Sequence, residues 1–413
     1  MADTGPRTAI VVGAGIVGLS TAWFLQERGV DVTVVDRTGV AAGSSWGNAG
    51  WISPGLTIPL NEPTVLRYGL TSLVHPTAPL RIPVSADLRM WGFLLRFAAN
   101  CRWSSWRRAV QAALPLNAIA KASYDMLAAN GVDAPMTDGP ITAIFETPHQ
   151  AEQFEADLHR FADAGQPVDH TALSGAALAE QVPLASRRIT AGVRVEGQRY
   201  FDPGRFVEAL GRAVVGRGAT LHTAEISDVR SRGGVVTVQP RDGAELTADV
   251  AVIATGAWLS RLARRGVRMR VQAGRGYSFT VPTERPIPSP IYLPEARVAC
   301  TPYPGGLRVA GTMEFRSPDA PAVPARLDAI AGSAQPLLDG INWAQRTDLW
   351  VGSRPLTAGG RPLIGELPER GIYVAGGHGM WGIAHGPATG RLLTEQITTG
   401  KLPAALREFD PAR

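Results

Sequence analysis

The stretch TAIVVGAGIVGLSTAWFLQERGVDVTVVD, Thr8 to Asp36, decides the fold of this chain. TAIVV is a short apolar run ending on glycine, which reads as a buried strand. Leu19, Ala22, Trp23 and Gln26 then recur at helical spacing, and Gly29 stops that helix. VDVTVVD is a second strand ending on Asp36. Strand, G-x-G-x-x-G, helix, strand and acid, the acid 18 residues beyond Gly18, form a dinucleotide fingerprint. Gly13 makes the tight turn, Gly15 lets the backbone approach a pyrophosphate, and Gly18 lets the helix pack on the strands. The helix start, with Ala14, Ile16 and Val17, points free N–H groups at phosphate charge. Asp36 suits the hydroxyls of an adenosine ribose and would repel a 2′-phosphate, which argues against NADP. Arg37 follows it at the same edge.

That fingerprint serves NAD and FAD alike, so the rest of the chain must choose. GVAAGSSWGNAGWISPG, Gly39 to Gly55, follows the second strand directly. An NAD-binding fold continues into another helix and strand there; a long extended loop suits FAD, which stretches across its domain. Ser44 and Ser45 can bond phosphate or ribityl oxygens, and Asn48, Ala49, Gly50 and Trp51 would run under the ring. Near the other end, GHGMWGIAHGPATG, Gly377 to Gly390, carries five glycines in fourteen residues. Set between a strand (GIYVAGG) and a helix from about Ile383, the residues Gly379, Met380, Trp381, Gly382 and Ile383 present backbone N–H groups and a positive dipole end. A reduced flavin is negative on its pyrimidine side, and such donors would stabilise that charge. In VAVIATG, Gly256 marks another close approach of backbone to ligand.

Composition bounds the alternatives. The 413 residues, 45% hydrophobic and 19% charged, describe a globular protein of two or more domains. The excess of 41 basic over 36 acidic residues is too small and too dispersed to indicate nucleic-acid binding. Two cysteines, Cys101 and Cys300, make no disulfide scaffold, and no metal site is expected. The first residues hold no signal-like apolar run, so a cytoplasmic location is expected. The region from about Leu60 to Ile189 reads as mainly helical. Its Arg89, Arg96, Arg102, Arg107 and Arg108 interleave with Trp91, Trp103 and Trp106. That pattern fits a peripheral helix on the inner face of a membrane, or a domain helix with arginine stems over a core. After Arg264, alternating strands broken by proline and glycine suggest an antiparallel sheet.

Together, VVGAGIVGLSTAWFLQERG, GSSWGNAGWISPG, YFDPGRF, VAVIATGAW, RGYSF, GSRPLTAGGRPLIG and GHGMWGIAHGPATG resemble the D-amino-acid oxidase superfamily of FAD-dependent oxidoreductases. The segment NAGWISPG and the long helical insert resemble most the bacterial D-amino-acid dehydrogenase and D-hydroxyproline dehydrogenase branch. The resemblance implies an α/β fold with an antiparallel-sheet domain. A Rossmann-like FAD-binding domain (1–60, 190–264 and 345–413) is interleaved with a substrate-binding domain (61–189 and 265–344). It implies oxidation of the amine of a D-amino acid or cyclic imino acid to an imine. The substrate is a small amino acid, and the electron acceptor is a quinone, the respiratory chain or oxygen.

By position, Val229 matches a residue whose backbone meets the adenine, and Arg354 of G-S-R-P matches an arginine that grips the substrate carboxylate. Tyr277 is a candidate partner on the sheet over the ring, and His378 orients the glycine loop or acts as a base. Arg275 and Arg308 are competing anchors. Some relatives attach flavin to a histidine where this chain has Gly47, others to a cysteine absent from GSRPLTAGG, so FAD is expected to be noncovalent. Two alternatives stay open: an oxidase or demethylase of N-alkyl amino acids that uses oxygen, and a non-catalytic dinucleotide-binding protein.

Overall fold

The computed structural model describes residues 5–66, 78–83, 86–264 and 266–413. Thr8–Val12 is the centre of a six-stranded sheet. Its order is Thr220–Thr223, Asp31–Asp36, Thr8–Val12, Val250–Ile253, Ile372–Gly376, Leu363–Glu366. The first five strands are parallel and the last is antiparallel. Side chains of a strand alternate between faces, and here both faces are dry. Ala9 and Val11 pack toward the helices Ile16–Glu27, Pro203–Gly216 and Gly382–Thr399. Ile10 and Val12 pack toward a three-stranded meander spanning Ile226 to Ala248. This explains why TAIVV is apolar without alternation.

A second, nine-stranded sheet runs Thr347–Thr357, Val271–Val281, Gly306–Phe315, Val298–Tyr303, Ile291–Leu293, Ile141–Phe145, Ala191–Val195, His170–Leu173. Leu80–Arg81 pairs beside Gly306–Phe315. Most neighbours are antiparallel, as expected; the pairs made by Ile291–Leu293 with Ile141–Phe145 and by Leu80–Arg81 are parallel.

Three expectations about organisation change. The region from Leu60 to Ile189 is not simply helical, because Met136–Asp138, Ile141–Phe145 and His170–Leu173 are strands. The helix Trp103–Ala129, expected in the substrate domain, lies in the core of the nucleotide-binding layer. Leu116, Ala120, Tyr124 and Leu127 are buried there, and the Tyr124 hydroxyl donates to the Ile383 carbonyl at 2.6 Å. The expected boundaries at 190 and 345 leave Ala191–Val195 and Thr347–Thr357 on the wrong side, since hydrogen-bond ladders tie both strands into the large sheet. We propose boundaries near 202 and 358 instead. Positions 67–77 and 84–85 of the expected segment 61–189 lie outside the described residues.

Candidate active site

A cleft opens at the carboxyl ends of the parallel strands, where α/β sheets place their ligands. Gly13, Gly15, Ile16, Val17, Asp36, Arg37, Ser44, Ser45, Asn48 and Gly256 line it. His378, Gly379, Met380, Gly382, Ile383 and Arg354 also line it. Gly13 and Gly18 have no room for a side chain, as a tight turn and a close helix packing require. A Cβ on Gly13 would lie 2.5 Å from the Ala254 carbonyl oxygen, and Gly13 itself has φ +118°. A Cβ on Gly18 would lie 1.9 Å from the Gly13 oxygen. Two helix starts converge on the cleft, Ile16–Glu27 and Gly382–Thr399, and neither has a side-chain N-cap. They are brought together by close crossing. A Cβ on Gly386 would meet Ile16 at 2.9 Å, and one on Gly390 would meet the Thr21 backbone nitrogen at 2.7 Å.

This geometry fits a long anionic dinucleotide. Uncapped N–H groups at two helix starts complement phosphate and a reduced flavin. The Ile16 N–H, meanwhile, donates to Ser45 Oγ at 3.1 Å. Thr255, which also lines the cleft, keeps a buried hydroxyl without a hydrogen-bond partner. Asp36 accepts from the Ala14, Thr38 and Gly39 N–H groups at 2.9, 2.8 and 3.0 Å, so its carboxylate is fixed at the strand end. We expect Asp36→Ala to weaken cofactor affinity by about tenfold or more, since a hydrogen bond to a charged group contributes about 1.5–3 kcal/mol. Titration of the apoprotein, followed by quenching of flavin fluorescence, measures this; unchanged affinity would remove Asp36 from the site.

Several expected residues lie elsewhere. Val229 is buried between the meander and the parallel sheet, and the cleft is lined by Ala224, Glu225 and Ile226 instead. Ala49, Gly50 and Trp51 turn away from it. Trp51 Nε1 donates to Thr301 Oγ1 at 2.8 Å, and Gly50 (φ +76°) packs on the Phe201 carbonyl. Trp381 stays within the cleft-lining loop between Met380 and Gly382, but its side chain turns away, Nε1 donating to the Ile58 carbonyl at 3.0 Å. Tyr277 belongs to the far face of its strand. Its neighbour Ser278 donates to the Gly47 carbonyl on the cleft side, whereas the Tyr277 hydroxyl donates to Glu314 Oε2 at 3.0 Å and accepts from the Val323 N–H at 3.2 Å. It therefore contacts the core beneath Pro324–Ala334 rather than a ligand in the cleft.

His378 is buried, with Nε2 at 2.9 Å from Thr389 Oγ1. Burial, reinforced by the nearby His385, pushes it down to about 3, so it is neutral near pH 7 and a poor proton acceptor. His385 is pushed down to about 4 by burial, and its Nε2–H donates to Asn117 Oδ1 at 2.7 Å.

Arg354 differs from Arg37 and Arg261, the other arginines lining the cleft, which pair with Asp319. Its NH1 donates to the Thr312 carbonyl at 2.9 Å, and burial alone pushes it down to about 10. No carboxylate pairs with it among the described residues. Its guanidinium lies flat on Gly276, where a Cβ would come within 2.3 Å. The Trp350 ring lies across Gly352 and against Gly47, leaving 2.2 Å for a Cβ at Gly47 and so no room for a side chain there. The competing anchors are engaged. Arg275 donates to the Pro321 carbonyl on the far face, and Arg308 donates to Thr280 Oγ1 and the Asp348 carbonyl.

Sequence reading missed Trp258, Arg261 and Asp319. Arg37 stacks 3.9 Å over Trp258, and Asp319 accepts from Arg37, Trp258 Nε1 and Arg261 at the mouth of the cleft. Asp319 lies hundreds of positions from Arg37, and no local pattern marks such a contact.

Comparison with known proteins agrees with this geometry. A family model described as FAD dependent oxidoreductase matches residues 8–396. A D-amino acid dehydrogenase of Vibrio vulnificus is 32% identical, over 97% of this chain and 99% of its own. A glycine oxidase of Geobacillus kaustophilus superposes with a TM-score of 0.75 at 22% identity, over 99% and 98% of the two chains. L-α-glycerophosphate oxidase of Mycoplasma pneumoniae, solved with FAD bound, gives 0.73 at 18% identity, over 96% and 95%.

Proposed function

Since the chain belongs to the FAD-dependent oxidoreductase family that contains D-amino-acid oxidase, we propose that it oxidises the amine of an amino acid, a D-amino acid or cyclic imino acid, to an imine. Its cofactor is FAD, held without a covalent bond. The observation that carries the substrate class is Arg354, a half-buried cation on the cleft wall with one carbonyl partner and no anion among the described residues. A ligand that fills the cleft would cover this charge, and the carboxylate of an amino acid would neutralise it. A guanidinium fork holds a carboxylate in two parallel bonds and so fixes the α-carbon.

Bound FAD supplies the hydride acceptor. The chain's part is orientation. Arg354 holds one end of the substrate, the sheet face bearing Gly274, Gly276 and Trp350 excludes water, and the helix start at Gly382 places N–H donors opposite. His378 stays neutral and bonded to Thr389, so the substrate amine would enter deprotonated rather than lose its proton to this residue.

The acceptor is a quinone, a respiratory component or oxygen. The dehydrogenase name of the relatives supports an acceptor other than oxygen. Among the described residues no helix is long and apolar enough to cross a membrane. Leu88 (84% exposed), Trp91 and Leu95 (72%) form a stripe on Leu88–Asn100, flanked by exposed Arg89 and Arg96. Such a stripe supports a cytoplasmic protein resting peripherally on the inner membrane face.

Anaerobic mixing with D-, L- and N-alkyl amino acids tests the reading. Bleaching of the flavin by D-amino acids, with slow recovery in air and fast recovery with a quinone, is the expected result. Bleaching by N-alkyl amino acids alone, reversed rapidly by air, would support the oxidase or demethylase alternative. No bleaching by any of them would favour a non-catalytic flavoprotein. Denaturation should release the yellow colour to the supernatant, because Gly47 offers no attachment point.

A further inference from the structure

Between two of its pairings, the strand Gly306–Phe315 carries one residue more than its partner Val271–Val281. Arg275 pairs with Glu314 and Tyr277 with Gly311, so the extra residue falls at Thr312 and Met313. Thr312 has φ +54°. A β-branched residue in the left-handed region is strained, and such strain persists where the surroundings over-determine it. Nothing local offsets it: Thr312 is 7% exposed and its Oγ1 is buried without a hydrogen-bond partner. The bulge turns its carbonyl out of the ladder and toward Arg354 NH1, 2.9 Å away. That is the one protein hydrogen bond the guanidinium side chain makes among the described residues.

We propose that Thr312 is a positioning residue for the substrate carboxylate. Its bulged peptide holds one corner of the Arg354 fork, and the contact with Gly276 keeps the fork flat, so the remaining N–H edge is presented at a fixed angle. Bulges re-aim groups in this way next to active sites. The inference rests on the reading of Arg354 as the carboxylate anchor.

Thr312→Gly removes the strain and frees the peptide; Thr312→Asn keeps a side chain that tolerates the left-handed region. In the holoenzyme, Thr312→Gly should raise the thermal midpoint or leave it unchanged. The amino-acid concentration that half-saturates anaerobic bleaching should rise about tenfold, the effect of loosening one charge-assisted hydrogen bond. The bleaching rate at saturation and the flavin content should stay near parental values, and Thr312→Asn should restore half-saturation to near the parental value. A purely structural residue would instead lower the midpoint and flavin content together. Parental half-saturation in a folded Thr312→Gly enzyme overturns the proposal, and so does a Thr312→Asn enzyme no better than the glycine variant. Acid-over-amide preference separates the two readings. If Arg354→Ala keeps that preference, the anchor reading fails first. If Arg354→Ala abolishes it while Thr312→Gly changes nothing, only the positioning role fails.

Discussion

Replacing Arg354 by alanine is expected to lower kcat/KM for the amino-acid substrate by about 100-fold or more while FAD stays bound. The magnitude follows from the water lost when a substrate covers the half-buried guanidinium. A carboxylate brought to this site loses water on a sheet face where Arg354 is the cation positioned to receive it. Breaking one partner out of a buried ion pair costs about 3–5 kcal/mol. Lysine should rescue only in part, because it restores the charge without the planar fork, and Gly276 is shaped for a flat group. Steady-state kinetics with an acid and its amide decide the matter. The parent should prefer the acid strongly and Arg354→Ala should lose most of that preference. Loss of flavin or of the fold would mark Arg354 as structural. A variant with parental efficiency would move the anchor elsewhere, although Arg275 and Arg308 are not among the residues that line the cleft.

The second large effect concerns acid stability. His378 and His385 are buried and pushed down from 6.5 to about 3 and about 4. A base whose folded pKa is depressed favours the neutral folded form. Stability from this source is complete above the unfolded pKa near 6.5. As pH falls, the unfolded chain takes up protons that the folded chain refuses, so stability declines. The slope approaches about 1.4 kcal/mol per pH unit for each histidine. For His385 the decline ends near pH 4 and for His378 near pH 3. Denaturant midpoints at intervals from pH 7 to 4 should trace this limb, and His385→Gln should make it shallower. The carboxylates Asp138 and Asp249, held below the usual 3.8 by hydrogen bonds, act mainly at lower pH and leave the window distinct. A parental midpoint that is flat from pH 6.5 to 4.5 would refute it.

What could be read from the residues alone follows a physical division. Gly13, Gly15, Gly18 and Asp36 form one local unit whose spacing is set by a turn and a helix, so their positions were legible. The glycines from Gly377 to Gly390 were legible for the same reason, although the tight crossing of Gly386 and Gly390 on the first helix was not. Tyr277 shows the opposite case. Which face a strand residue takes depends on register, and one residue of slip reverses it; the bulge at Thr312 is invisible in composition. Val229 differs from the lining residue Ile226 by three positions, the uncertainty of where a strand begins. The helix Trp103–Ala129 looked like part of the insert because its packing partners, Ile383 among them, are remote in sequence.

The crossing of the first and last helices also sets an order of events during synthesis. Chains emerge from the ribosome N-terminus first and tend to fold in that order. Here the strand Thr8–Val12 must wait for Val250–Ile253, and the face of Ile16–Glu27 that receives Gly386 and Gly390 stays bare until Gly382–Thr399 has left the exit tunnel. Until then the nascent chain has one of the two helix starts that face the cofactor and half of the cleft wall. The cleft wall is therefore complete only once these two helices have crossed. The face of Ile16–Glu27 that packs on Gly382–Thr399 is without this partner for the whole time taken to translate the intervening sheet.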